Sequence, residues 1–278
     1  MNEDLENMDD DFEYADDPAD FKEEFEMWRL LAEQEDDAEA QLHLGQIYQY
    51  GLGVKEDDKE AVKWYRLAAE QGEPEAQYSL GWMYRCGWGV KEDDKEAVKW
   101  YRLAAEQGDA EAQLDLGQMY QYGFGVKEDD KEAVKWYQLS AEQGNAEAQH
   151  SLGAMYENTK DHEKALIWYW LSAQGGFADG QLSLGTMYYK GEGVTQDYKE
   201  AVKWYQLSAE QGHPEAQYKL GVMHENGKGV LQDKDKAVNW YLLSAEHEEK
   251  ARCKLTAMND KGVLSQFIIN TMNKPLTL

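Results

Sequence analysis

The chain has 278 residues, 55 of them acidic against 28 basic, for a net charge of −27. That balance repels nucleic acid and anionic membrane, favours basic partners and keeps the chain soluble. No stretch approaches the roughly 18 apolar residues of a membrane span, and residues 1–6 have neither the basic nor the apolar region of a secretory leader. The two cysteines, Cys86 and Cys253, lie too far apart in sequence to meet in an extended array. Free thiols and a cytoplasmic location are therefore expected.

In chain order, residues 1–20 read as a disordered acidic tail, rich in Asp and Glu and poor in large apolar side chains. Phe21, Phe25, Trp28, Leu31 and Ala32 then recur at helical spacing and predict an N-terminal capping helix over 21–36. Residues 37–247 form six copies of one unit. Trp64, Trp100, Trp136, Trp168, Trp204 and Trp240 mark them at intervals of 36, 36, 32, 36 and 36. Such a unit cannot bury itself alone and is completed by stacking.

The second copy illustrates the plan. Pro74 opens a helix in which Ala76, Leu80, Met83 and Tyr84 share one stripe. Gly81 interrupts that helix, as Gly45, Gly117, Gly153, Gly185 and Gly221 do in their copies. A recurrent mid-helix glycine implies close approach by a neighbouring helix. The Gly87-Trp88-Gly89-Val90 turn follows, with Val90 plugging the gap between helices. Asp93 or Asp94 caps the second helix, with Glu96 placed for a capping box, and Gly108 ends it. Ala97, Tyr101, Ala104 and Ala105 form its inner face, while Trp100 and Leu103 are expected to pack on the next repeat. The fourth copy replaces the glycine turn with Tyr156-Glu157-Asn158-Thr159-Lys160-Asp161, four residues shorter, which predicts a tighter hairpin and a local change of curvature. Residues 248–278 read as C-terminal capping helices, with Ala251 and Leu255 in the first and Val263, Leu264, Phe267, Ile268 and Met272 in the last.

Catalytic and metal chemistry find no constellation. His43, His150, His162, His213, His224 and His247 lack ligand spacing, and the acidic runs at 56–58, 92–94 and 128–130 lack a calcium-loop frame. No enzyme activity, metal or cofactor is expected.

Ala76, Leu80, Gly81, Tyr84, Gly87, Gly89 and Val90, followed by Asp94, Ala97, Trp100, Tyr101, Ala104, Ala105 and Gly108, resemble the Sel1-like repeat, a relative of the tetratricopeptide repeat with a longer loop inside each unit. The resemblance implies an all-α fold: a right-handed α/α superhelix, or solenoid, of six helical hairpins with capping helices at both ends. It also implies a non-catalytic, protein-binding scaffold or adaptor. Some members are secreted and staple each hairpin with a disulfide; without a cysteine pair per repeat, this chain is not expected to share that property.

In related superhelices the first helix of each hairpin lines the concave face. Comparing the copies there gives His43, Ser79 and Asp115 at one variable position and Gln46, Trp82 and Gln118 at another. Gln49, Arg85 and Gln121 occupy a third, and Tyr50 and Tyr122 a fourth. Trp88 and Phe124, in the glycine turns, either pack on adjacent loops or join the same surface. Trp, Tyr and Arg are favoured as interface anchors, so the groove of repeats 1–3 is the expected protein-binding surface. The partner is a protein, and a basic one suits the charge. A narrower alternative is an immunity protein that neutralises a basic toxin or effector domain. The free chain is expected to be a monomer.

Overall fold

The computed structural model describes residues 18–34 and 36–260. The acidic tail over most of 1–20 and the last predicted helix around Val263–Met272 lie outside them. Among the described residues there are fourteen helices and no strand. Helix α1 (Pro18–Gln34) precedes six hairpins: α2 (Ala38–Tyr50) with α3 (Asp58–Glu70), α4 (Pro74–Cys86) with α5 (Asp94–Glu106), and α6 (Ala110–Tyr122) with α7 (Asp130–Glu142). Then come α8 (Ala146–Asn158) with α9 (His162–Gln174), α10 (Ala178–Lys190) with α11 (Tyr198–Glu210), and α12 (Pro214–Asn226) with α13 (Lys234–Ser244). Helix α14 (Glu249–Asp260) follows. The chain divides into two compact units, residues 1–136 and 137–278, with the boundary inside α7.

Each core lies between successive hairpins. Ala61, Val62, Tyr65, Ala68 and Ala69 of α3 pack with Ala76, Leu80 and Met83 of α4, and Trp100 of α5 closes the cluster. The next cluster repeats the plan: α5, α6 and Trp136. The marker tryptophans therefore pack backward, onto the preceding repeat, and not forward as the sequence suggested. Leu103, expected beside Trp100, is exposed. The second-helix stripe is narrower than its apolar letters imply.

The helix glycines give their space to a tyrosine ring of the same hairpin. A Cβ on Gly81 would sit 2.7 Å from Tyr101 Cδ1, and one on Gly153 would sit 2.7 Å from Tyr169 Cδ1. The nearest approach is that of the ring, and the backbone of the facing helix follows, with the Ala97 carbonyl oxygen 3.3 Å from the Gly81 Cβ position. In the turns, Gly87 ends α4 with φ of 72°. A Cβ on Gly89 would lie 2.2 Å from the Asp58 carbonyl oxygen, so the turn rests on the first residue of α3, one repeat earlier. Gly125 meets Asp94 in the same way, and Gly229 meets Tyr198.

Asp93 caps α5, accepting from the Lys95 and Glu96 amides at 3.0 and 3.2 Å. The Glu96 carboxylate reaches forward to Lys99 at 3.2 Å. Asp57, Asp129 and Asp197 make the same caps, which accounts for the acidic runs. A buried glutamine ties the repeats together. Gln77 Nε2 donates to the Ala69 carbonyl at 3.1 Å, and its Oε1 accepts from Gln107 Nε2 at 2.9 Å. Gln181 and Gln211 repeat this at 3.4 and 2.8 Å. In the fourth hairpin the link shrinks to residues 159–161, with Lys160 at φ of 61°.

Candidate protein-binding surface

The candidate residues fall into three sets. On α2 and α4, His43 Nδ1 lies 3.2 Å from Gln46 Oε1, and Gln46 Nε2 donates to Glu75 Oε1 at 2.7 Å. The His43 ring packs on Trp28 of α1, with centroids 4.4 Å apart. Burial raises the Glu75 carboxyl above its ordinary range. Ser79, half-buried, hydrogen-bonds the Tyr65 hydroxyl. This set is a polar strip on the first helices.

The second set is already engaged within the fold. Gln49 is buried and accepts from the Tyr65 hydroxyl. Glu157 and Glu225, its counterparts, accept from Tyr169 and Tyr241, each at 2.7 Å. The position thus serves the hairpin, which removes Gln49 from the exposed surface. In repeat 2 the counterpart is Arg85, a donor only. Tyr101 turns instead to Asp115, on α6, and Tyr78 hydrogen-bonds the same carboxylate. Burial, and then Asp115, pushes both hydroxyls well above their ordinary range, so they stay protonated donors. Arg85 Nη1 pairs with Asp94 Oδ1 at 3.0 Å, and its guanidinium carbon lies 4.4 Å from the Phe124 ring centroid. Arg85 and Phe124 fasten one turn to the preceding hairpin.

The third set is aromatic and open. Trp82 packs against the cores on either side of α4 and meets Trp88 edge-on, with centroids 4.4 Å apart. Tyr122 and Phe124 stand 5.8 Å apart. Tyr50 is 43% exposed, Trp88 39%, Tyr122 59% and Phe124 38%. Gln118 and Gln121 are half-buried beside them on α6. The structure brings Trp82 to Trp88, Arg85 to Phe124 and Phe124 to Tyr122, so both turn residues pack locally and still show a face to solvent. Glu75 and Tyr78 escaped the sequence reading. Tyr78 carried a signal, since its sister copies hold Leu42 and Leu114.

Among the described residues, no group of three His, Cys, Asp or Glu is placed to hold a metal ion. No described helix is long and apolar enough to cross a membrane. Both Cys86 and Cys253 are free and exposed.

Comparison with known proteins bears on this architecture. The Sel1 repeat pattern matches residues 38–73, 74–109, 110–145, 146–177, 178–213 and 214–248. No curated protein gives a significant sequence match. Among solved structures, a protective antigen of uropathogenic Escherichia coli with an SLR fold is 42% identical, with a TM-score of 0.79 over 85% of this chain. The chain spans about half of that protein, 52% of its length. A Sel1 repeat protein from Oxalobacter formigenes is 34% identical, with a TM-score of 0.73, over 84% of this chain and all of its own. An immunity protein from Pseudomonas aeruginosa shares the fold at 20% identity and a TM-score of 0.50, over 75% of this chain and 80% of its own. Six consecutive matches, each coinciding with one helical hairpin, place the chain in the Sel1 repeat family.

Proposed function

We propose that this protein is a non-catalytic, cytoplasmic binding scaffold that holds a protein partner on the first-helix and turn surface of repeats 1–3. The observation that carries the reading is the exposed aromatic set Tyr50, Trp88, Tyr122 and Phe124, with the half-buried Trp82 against Trp88 and with His43, Gln46, Ser79, Asp115, Gln118 and Gln121 as a polar border. Trp82 stands where sister copies have Gln46 and Gln118, so the hairpin folds without a ring at that position, although this one also packs on the two neighbouring cores. Rigid aromatic side chains flanked by amides are the usual composition of interface centres.

The charge of −27 favours a second reading within the same class, an immunity protein that caps a basic toxin or effector domain. One experiment addresses both. Full-length protein is used to capture partners from native lysate at low and high salt, alongside the Trp88→Ala/Tyr122→Ala variant. A partner lost with the variant supports the surface, and one retained by it overturns the placement. If that partner is a single basic protein that elutes with salt, the inhibitor reading gains. A salt-resistant partner favours the scaffold.

A further inference from the structure

Helix α14 takes up the first-helix register once more. Ala251, Leu255 and Met258 are buried as Ala216, Leu220 and Met223 are in α12. Gly262 falls where Gly227, with φ of 65°, ends α12. What departs is the seat for a second helix. At Gly45, Gly81, Gly153, Gly185 and Gly221 a tyrosine ring of the next helix fills the space beside the glycine. Thr256 stands in that glycine's place, and residues 261–278 hold no tyrosine. Arg252, at the register of the buried Gln217, is exposed, as are Thr256 and Asp260. This side of α14 is polar and does not match the seat in a sister hairpin.

Residues 261–278 nevertheless carry apolar side chains that need a place. Val263, Leu264, Phe267, Ile268 and Met272 recur at helical spacing. Between α12 and α14, Tyr218, Glu249, Lys250, Cys253 and Lys254 line a cavity of about 390 Å³. Both lysines are already paired, Lys254 with Glu225 at 2.8 Å and Lys250 with Glu248 at 3.6 Å. The cavity therefore offers an occupant the Tyr218 ring, the exposed Cys253 side chain and two lysine stems.

The covalent connection selects the occupant. Cys253 lies about 10 Å before the end of α14, at a rise of about 1.5 Å per residue. A segment that turns back at Gly262 with the same rise brings Ile268 and Met272 to about the level of Cys253. Joined so closely, it acts at a local concentration in the millimolar range, which a free partner rarely matches. It holds two lysines and no acid, so its docking adds no repulsion to a chain of −27. We propose that residues 263–272 fold back along α14 and seat their apolar side chains in the cavity between α12 and α14. The expected capping segment thus covers the side of the last repeats that carries Tyr218 and Cys253, and not the polar side that carries Thr256. The contact is independent of the partner surface on repeats 1–3.

Thiol reactivity of the full chain tests this, with iodoacetamide as the probe and peptide masses as the readout. Cys253 is expected to react about tenfold or more slowly than in a chain truncated after Asp260. Cys86, on α4, should react alike in both. Truncation also removes support from α14, so the full-length Ile268→Ser/Met272→Ser variant decides, with unchanged helicity as its control. In that variant Cys253 should react as fast as in the truncated chain. A thiol introduced by Thr256→Cys should alkylate quickly with or without residues 261–278. A Cys253 that reacts equally in all three chains overturns the proposal. So does a thiol at 256 that is shielded until truncation, since the segment would then cover the other side of the helix.

Discussion

At Gly81 a helix gives up about 1 kcal/mol of propensity relative to Ala to make room for the Tyr101 ring. Both Tyr101 ring carbons and the Ala97 carbonyl would crowd any Cβ there. Gly81→Val adds two methyls to that crowding and should destabilise by about 1–3 kcal/mol, read as a lower urea midpoint with an unchanged slope. An unaltered midpoint would refute the assignment. That the glycine had a use was legible from its six copies. The tyrosine that uses it was not, because periodicity gives a residue's face and not the reach of a facing ring. His224 offers a second test at this scale. It stands where five sister copies have Tyr48, Tyr84, Tyr120, Tyr156 and Tyr188, is buried, and leaves Nδ1 without a hydrogen bond. Desolvation lowers its pKa, with Lys236 adding to the effect. The folded state thus holds the neutral form while the unfolded chain takes up a proton, so stability falls as pH drops below the ordinary histidine value. His213 acts in the opposite sense. Its pKa is raised by the hydrogen bond to Asp179, so its contribution is present in acid and fades as pH rises through the raised value. His224→Tyr should therefore raise the melting temperature more at about pH 5 than at about pH 8. An equal gain at both pH values would rule out the imidazole's charge as the cause.

At the scale of the element, the hairpin was readable because each of its devices leaves a letter: proline or aspartate at the start, glycine at the end, alanines inside. Asp93 as cap and Gly108 as stop are both found. The direction of packing was not readable. Trp100 completes the core behind it, and nothing in the spacing of a stripe distinguishes the repeat before from the repeat after. For the candidate surface the comparison of copies located the exposed aromatics, but it treated every variable position alike. Gln49 varies because the tyrosine hydroxyl donates equally well to an amide or a carboxylate oxygen, and Arg85 varies because a neighbouring repeat took over that bond. Gln77, present in every copy, does the reverse: its letter suggests a solvated side chain, yet it is buried, donating to Ala69 and accepting from Gln107. Gln77→Leu keeps the volume and removes the bonds to Ala69 and from Gln107, whose amide retains its other bond to the Gly72 carbonyl at 2.9 Å. A loss of about 1–3 kcal/mol is expected, measured by urea denaturation. A loss near zero would mean that the bond between repeats is dispensable.

On the scale of the whole molecule the deciding quantity is the net charge of −27. Two electrostatic effects compete when salt is added. Exposed pairs such as Lys63–Glu60, Lys99–Glu96 and Lys203–Glu200 weaken, but solvent-exposed pairs of this kind contribute little individually. Against them stands the repulsion among 55 acids that 28 basic residues do not balance, a term that grows with compactness and is relieved when counterions screen it. The exposed pairs are few and individually weak, whereas the repulsion acts across every hairpin. Raising sodium chloride from about 0.02 to about 0.5 M shortens the screening length from about 20 Å to about 4 Å, less than the roughly 10 Å between packed helices. The melting temperature should therefore rise with salt and level off once that length falls below the helix spacing. A fall would mean that the ion pairs outweigh the repulsion, and the acidic excess would then have to be offset locally, through caps such as Asp57 and Asp93, whose side chains accept from amides at a helix N-terminus.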